Sequence, residues 1–222
     1  MKEKIVLIGG GNHLKYSYDI ILKEDRYDVI GVIDSIADIG SELFGLKVIG
    51  RQGDIVSLVK EYDIDGGIIT VGDNWIRKII YDDIISYIPK FKFVNAIHPS
   101  VSIGNFTELG VGIIAMAGCI INPGANIGDF AFFATGAQIE HDCVIGEFSS
   151  ISAGTVLGGH VRLGKFSALT LNVTVLDRIS IGENTVVGSG SLVLKDLPDN
   201  VLVYGNPAKV IRTREKNERF LK

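Results

Sequence analysis

The stretch IEHDCVIGEFSSISAGTVL, residues 139–157, decides the fold of half the chain. Its aliphatic residues Ile139, Ile145, Ile151 and Leu157 stand six apart, and the spacing continues outward, back to Ile97 and on to Val193. All seventeen of these sixth residues are large and apolar except Ala115. Glycine often follows, as at Gly104, Gly110, Gly128, Gly146, Gly158, Gly164, Gly182 and Gly188, and four places on come small or β-branched residues such as Thr107, Ala125, Ser149 and Thr155. An ordinary all-β domain does not hold such a spacing through seventeen hexads without an insertion. A period of six suits a triangular coil whose aliphatic residue fills the interior, with the glycine after it read as the residue that permits the corner. Three hexads make one coil, so the expected fold is a left-handed parallel β-helix.

Before residue 90 the pattern is α/β. Lys4–Ile8 reads as a short strand, Gly9–Asn12 as a tight turn and His13–Lys23 as a helix; a second strand, Asp28–Ile33, ends at Asp34. Ile55–Tyr62 reads as a helix, Gly67–Val71 as a buried strand and Asn74–Ile88 as an amphipathic helix with Ile76, Ile79, Ile80 and Ile84 on one face. Strands alternating with helices imply a small parallel sheet of Rossmann type. The chain is therefore expected to be α/β plus all-β: a Rossmann-like domain over 1–92, the left-handed parallel β-helix over 93–211, and a charged tail, 212–222, forming a frayed helix or a capping segment.

Composition narrows the function. A net charge of −4 and a pI near 5.6 argue against a nucleic-acid surface. The apolar run after MKEK breaks into glycines after four residues, which fits neither a signal peptide nor a membrane span, and a cytoplasmic location without membrane insertion is expected. Cys119 and Cys143 differ by four hexads, which places them on different faces of the prism, too far apart in direction to pair.

Four histidines are candidates for chemistry. His141, in Glu140-His141-Asp142, lies two residues past an inward isoleucine and points outward, with acidic neighbours able to fix its tautomer and raise its basicity. One full coil on from it comes Gly159, whose N–H is read as an oxyanion donor. His160 falls in a corner and is expected to be solvent-exposed, and His98, at the entry to the prism, to be structural. His98, His141 and His160 do not converge as a metal site within one subunit on this reading. His13 belongs to Gly9-Gly10-Gly11-Asn12-His13, between a strand and a helix, where backbone N–H groups and the helix dipole suit a phosphate. The dinucleotide fingerprint is incomplete, since Leu14 replaces its third glycine, and a nucleotide-linked substrate fits better. Asp34 either accepts hydrogen bonds from a ribose or sugar or simply forms a turn.

Across nearly its full length the chain resembles the bacterial sugar acetyltransferases of the NeuD/PglD type. The matching pieces are Ile8–His13, Val71–Arg77, Val94–His98, Ile139–Gly146 and Gly205–Lys209. The resemblance implies that His141 is the general base and Asp142 increases its basicity; that Gly11, Asn12, His13, Asp34 and Gly72 line a nucleotide-sugar pocket; and that acetyl-CoA lies between neighbouring subunits of a homotrimer, near Ser150, Leu171 and Ser189. No metal is expected. Two positions depart from the family pattern: Ser150 replaces a histidine and Ala134 an asparagine, and both bear on the acceptor group and its orientation. The expected reaction is direct transfer of acetyl from acetyl-CoA to the amine of a nucleotide-linked amino sugar. The alternatives are O-acetylation of a sialic-type sugar, a metal-dependent hydratase with interfacial histidines, and a nucleotide-sugar-binding protein without catalysis.

Overall fold

The apolar run Ile5–Ile8 is fully buried and forms the centre of a five-stranded sheet. The computed structural model describes residues 2–220. Contacts divide it into two units, Met1–Ile97 and His98–Lys222.

In the first unit β1 (Glu3–Ile8) is followed by α1 (Asn12–Glu24), β2 (Tyr27–Ile33), β3 (Glu42–Leu43), β4 (Leu46–Gly50), α2 (Ile55–Tyr62), β5 (Gly66–Ile69) and α3 (Asn74–Tyr87). The sheet order is β3-β4-β2-β1-β5, parallel except for β3, which is the Rossmann-like arrangement expected. The β3–β4 hairpin was not anticipated. Its two loop residues, Phe44 and Gly45, both have positive φ (51° and 83°), the conformation that matches the twist of a tight hairpin. Helix α3 also differs from expectation. Its buried residues are Asn74, Arg77 and Ile84, while Ile79 is 59% exposed. The Arg77 guanidinium turns inward because its two terminal nitrogens donate to the Gly72 carbonyl (2.7 Å) and to Asn74 Oδ1 (2.9 Å), acceptors available inside the unit. A last strand, β6 (Ala96–Ile97), keeps the six-residue register that the second unit continues.

In the second unit, sixteen described two-residue strands, β7 (Ser102–Ile103) to β22 (Leu192–Val193), begin every six residues. Strands three hexads apart pair in parallel: Ile121 with Ile103 and Ile139, Ile127 with Leu109 and Ile145, Phe133 with Ala115 and Ile151. Three sheets result, the faces of a left-handed parallel β-helix. The expected hexad residue is the second of every strand, and all from Ala115 to Val193 are buried. Ile103 and Leu109 are more open because they belong to the first coil. The residues four places on, including Cys119, Cys143, Ser149 and Thr155, complete the interior, and both cysteines are free.

The corner, however, is not where the glycines suggested. Positive φ falls three places after the inward aliphatic, at every sixth residue from Phe106 to Gly190. The glycines directly after the aliphatic serve a different need: a Cβ on Gly146 would lie 2.5 Å from the Lys165 backbone nitrogen, so the next coil could not close over it. The three corners also differ in character. One carries Gly118, Gly136, Gly154, Asn172 and Gly190; another Phe130, Phe148 and Phe166, whose rings stack at 4.8 and 5.6 Å; the third Phe106, Gly124, Asp142, His160 and Arg178. Strands β23 (Val201–Gly205) and β24 (Ala208–Thr213) then form an antiparallel hairpin. The expected tail begins inside β24 and, among the described residues, has no helix. Buried Arg214 ties it to the coil of Asn184, its Nε donating to the Asn184 carbonyl (3.2 Å).

Candidate active site

The sequence brings His141 and Asp142 to a corner of the prism because Ile139 and Cys143 on either side point inward. His141 Nδ1 lies 2.8 Å from Asp142 Oδ2, so the Nδ1–H donates to the carboxylate and Nε2 is left as the basic nitrogen. The hydrogen bond from His141 holds the Asp142 carboxyl below its ordinary value, with the His160 and His141 charges adding to it against a burial effect. Nε2 faces Gly159 across the coil boundary: a Cβ there would stand only 2.7 Å from it. Glycine is thus what leaves room at the basic nitrogen. Beside the pair, burial pushes the Cys143 thiol up to about 11, which keeps it out of nucleophilic chemistry near neutral pH.

Two expectations change. The Gly159 N–H donates to Asp177 Oδ1 (3.0 Å), so in this geometry it is committed and not an open oxyanion donor. The same device joins Val111 N–H to Asp129 and Glu183 N–H to Asp199, a carboxylate staple between adjacent coils. His160 is half-buried and belongs to the site: its Nε2 lies 3.8 Å from Asp142 Oδ2, and its ring meets that of His141 edge to face at 5.1 Å. His141, Asp142 and His160 therefore converge, with ligand-type atoms within 4.8 Å of one another, whereas His98 stands apart, its Nδ1 accepting from the Ser100 N–H. The 2.8 Å bond commits the carboxylate to the His141 ring, and the trio reads as a base with its partners.

Leu171 and Ser189 lie one coil apart on the glycine corner, where Thr170 and Ser189 hydroxyls meet at 3.1 Å. Apart from Asn172, that corner carries only glycines. At Gly136 and Gly190 a Cβ would meet nothing within 4 Å, and Leu171 is half exposed. An extended chain could lie along it. Ser150 is instead buried on the sheet face between Phe132 and Ala168. Within one chain these residues and His141 occupy different corners, separated by a sheet face.

In the first unit, Gly9, Gly10, Gly11, Asp34, Ser35, Ile36, Gln52, Val71, Ile76 and Ile80 line a cavity of about 210 Å³. It opens at the start of α1, whose cap residue Gly11 offers no side-chain acceptor and whose first turn carries no acid, so the helix N-terminus is suited to an anion. Asp34 accepts from the N–H groups of Gly10 (2.6 Å), Ile36 (2.8 Å) and Ala37 (2.7 Å). Burial alone would raise its carboxyl, but the three N–H groups and Arg51 outweigh it and hold it below the usual range. Asp34 thus lines the cavity while shaping its wall. Gly72 and His13 pack on each other, His13 half-buried against the Val71–Asp73 loop; burial first, and Arg77 second, lower its ring to about 4, which keeps it neutral. Gly11 and Asp34 line the cavity, and Asn12, His13 and Gly72 support it from outside the lining.

Sequence reasoning missed Asp177, His160 and the cavity residues Ile36, Gln52, Ile76 and Ile80. The signal for His160 was present: it stands one full coil after Asp142, just as Gly159 stands one full coil after His141.

Comparison with known proteins agrees with both units. The family model of the PglD N-terminal domain matches residues 4–84. A mutant of perosamine N-acetyltransferase from Caulobacter crescentus, in complex with CoA and GDP-perosamine, is 33% identical, with a TM-score of 0.87 over 93% of this chain and 96% of that one. The acetyltransferase domain of PglB from Neisseria gonorrhoeae FA1090, in complex with acetyl coenzyme A, is 28% identical, with a TM-score of 0.86 over 95% and 100%. Curated relatives match over short stretches: serine acetyltransferase 2 of Arabidopsis thaliana is 54% identical over 46 residues, 21% of this chain. The match spans 14% of that protein's length, and 30% of the putative acetyltransferase YvoF of Bacillus subtilis (strain 168).

Proposed function

Since the chain belongs to the NeuD/PglD-type family of sugar acetyltransferases, we propose that it moves acetyl from acetyl-CoA to the amino group of a nucleotide-linked amino sugar. The observation that carries this reading is the His141–Asp142 pair, an outward imidazole with its tautomer fixed at 2.8 Å and its second nitrogen kept accessible by Gly159. As the amine nitrogen attacks the thioester carbonyl, His141 Nε2 takes one amine proton and Asp142 balances the imidazolium. The new C–N bond forms, the C–S bond breaks, and the proton passes from His141 to the departing sulfur. No covalent acyl-enzyme is needed. In this reading Gly159 contributes space at Nε2, and its N–H serves an oxyanion only if Asp177 releases it.

The nucleotide-sugar binds the first unit, with its phosphates at the α1 N-terminus beside Gly11, Asn12 and His13, within a wall shaped by Asp34 and Gly72. The open glycine corner with Leu171 and Ser189 supports acetyl-CoA running along the prism, with Ser150 on the neighbouring face. That corner and His141 sit on different edges of one chain, which supports a homotrimer whose neighbouring copies complete each site. No described helix is long and apolar enough to cross a membrane, and a cytoplasmic trimer is the proposed working form.

The test is thiol release from acetyl-CoA against UDP-, GDP- and dTDP-linked 4-amino sugars, headed by GDP-perosamine, with free sialic acids included for hydroxyl acceptance. Activity on one of the amino sugars, lost by on the order of a hundredfold or more in His141→Ala, is expected. Silence across the panel from a folded trimer counts against the reading.

A further inference from the structure

Asp142 Oδ2 has two imidazoles beside it. His141 Nδ1 is hydrogen-bonded at 2.8 Å, and His160 Nε2 waits at 3.8 Å, beyond hydrogen-bond length. The coil geometry makes this meeting obligatory: Asp142 and His160 hold successive left-handed positions on one corner (φ 58° and 60°), and the His160 N–H donates to the His141 carbonyl at 2.9 Å. The two rings touch at 85°, so His160 also bears on the plane of the base.

We propose that His160 is a positioning residue for the proton transfer: it flanks the Asp142 carboxylate and the His141 ring, and its charge state sets how fully that carboxylate serves His141. While His160 is neutral, Oδ2 is left to His141. Once protonated, it is drawn to the same oxygen and places a positive charge beside the base, which opposes protonation of His141. The other charged groups of this corner are Glu140 on the same coil as the base, and Asp177 and Arg178 on the coil after His160; Asp177 is already engaged with the Gly159 N–H. The catalytic part of the proposal rests on the acetyltransferase reading, whereas the coupling between the rings does not.

The two are separated by measuring histidine ring resonances of the full-length protein, without substrates, across a pH titration of wild type, His160→Gly and His160→Gln. Glycine already serves this corner at Gly124, and glutamine keeps a neutral N–H donor that cannot take a proton. In both variants the His141 resonances are expected to follow a pH profile displaced from that of wild type, because the ionisable ring beside His141 is gone. With the active sugar nucleotide, kcat of His160→Gly is expected to fall about tenfold with both KM values unchanged within about twofold, and His160→Gln to recover part of the loss. An unchanged His141 profile in folded variants overturns the coupling, and a loss that appears in KM instead of kcat overturns the positioning role. If the glycine variant does not fold, His160→Asn decides, asparagine being the corner residue at Asn172 and Asn184. A wild type inactive on every sugar refutes the acetyltransferase reading, while the ring titration still decides the role of His160.

Discussion

Replacing Gly159 by alanine separates catalysis from folding. Its φ is not in the left-handed region, so alanine adopts the backbone without strain. The new Cβ would lie 2.7 Å from His141 Nε2, 2.9 Å from Cε1 and 3.3 Å from Cδ2, and would meet no backbone atom among its nearest neighbours. To regain ordinary contact the ring must retreat by about 1 Å. His141 can do so because its side chain is about half exposed, 55%, so the change in stability should stay within about 0.5 kcal/mol, or about 2 °C in Tm. The same retreat spoils the aim of Nε2 and the 2.8 Å bond to Asp142. A misplacement of that size costs about a hundredfold in rate, equivalent to about 2.7 kcal/mol of transition-state stabilisation. The assay is thiol release at saturating acetyl-CoA beside a thermal melt, with His141→Ala and the double variant in parallel. The double variant should be no slower than His141→Ala, since both changes disable one group. A Gly159→Ala enzyme within threefold of wild type, or one that loses several degrees of Tm, would refute the reasoning.

Gly146→Ala should do the reverse, because its Cβ would strike the Lys165 backbone at 2.5 Å: a loss of about 1–3 kcal/mol in denaturant unfolding, with the kcat of folded protein kept. Phe148→Ala removes the middle ring of the aromatic stack, 2% exposed, and should cost about 3–5 kcal/mol, read as a lowered denaturant midpoint. His13 supplies a pH signature. Its folded value of about 4 lies below the ordinary 6.5, so the unfolded chain binds the extra proton; stability from its neutral burial is fully present above pH 6.5 and is lost as the pH falls toward 4, by at most about 3 kcal/mol. A His13→Asn variant should lose less stability than wild type over that interval, and parallel curves in urea titrations would contradict the assignment.

The second unit was legible because one period governs it: the inward residues repeat every six, and chance cannot imitate that. What the period alone did not reveal was which residue turns the corner. Glycines after the aliphatic were conspicuous, yet their reason is the close approach of the next coil, and the left-handed positions are held more often by Phe, Asn, Asp, His or Arg than by glycine. In the first unit α2 was read with its observed ends, whereas the β3–β4 hairpin was hidden because Phe44-Gly45 lacks the usual Asn or Asp signal. The face of α3 was misplaced because an arginine with internal acceptors can be buried where an isoleucine is not. At the candidate site the proposed base, His141, was visible from its acidic neighbours. Its side partners His160 and Asp177 depend on stacking between coils, and become visible only when positions one coil apart are compared.

The three corners give this prism a division of labour along its length. On the corner of Asp142, His160 and Arg178 the side chains are not buried, so they can be exchanged without repacking the core, one position per coil of about 4.8 Å rise. One edge is free to accumulate aromatic rings, another to shed side chains, and a third to collect ionisable groups. New reactivity on such a scaffold is therefore a matter of rewriting an edge. The stacked strands beneath would carry the altered edge unchanged, and a variant library at residues 142, 160 and 178, limited to residues that accept their left-handed backbone, would sample chemistry without disturbing the core.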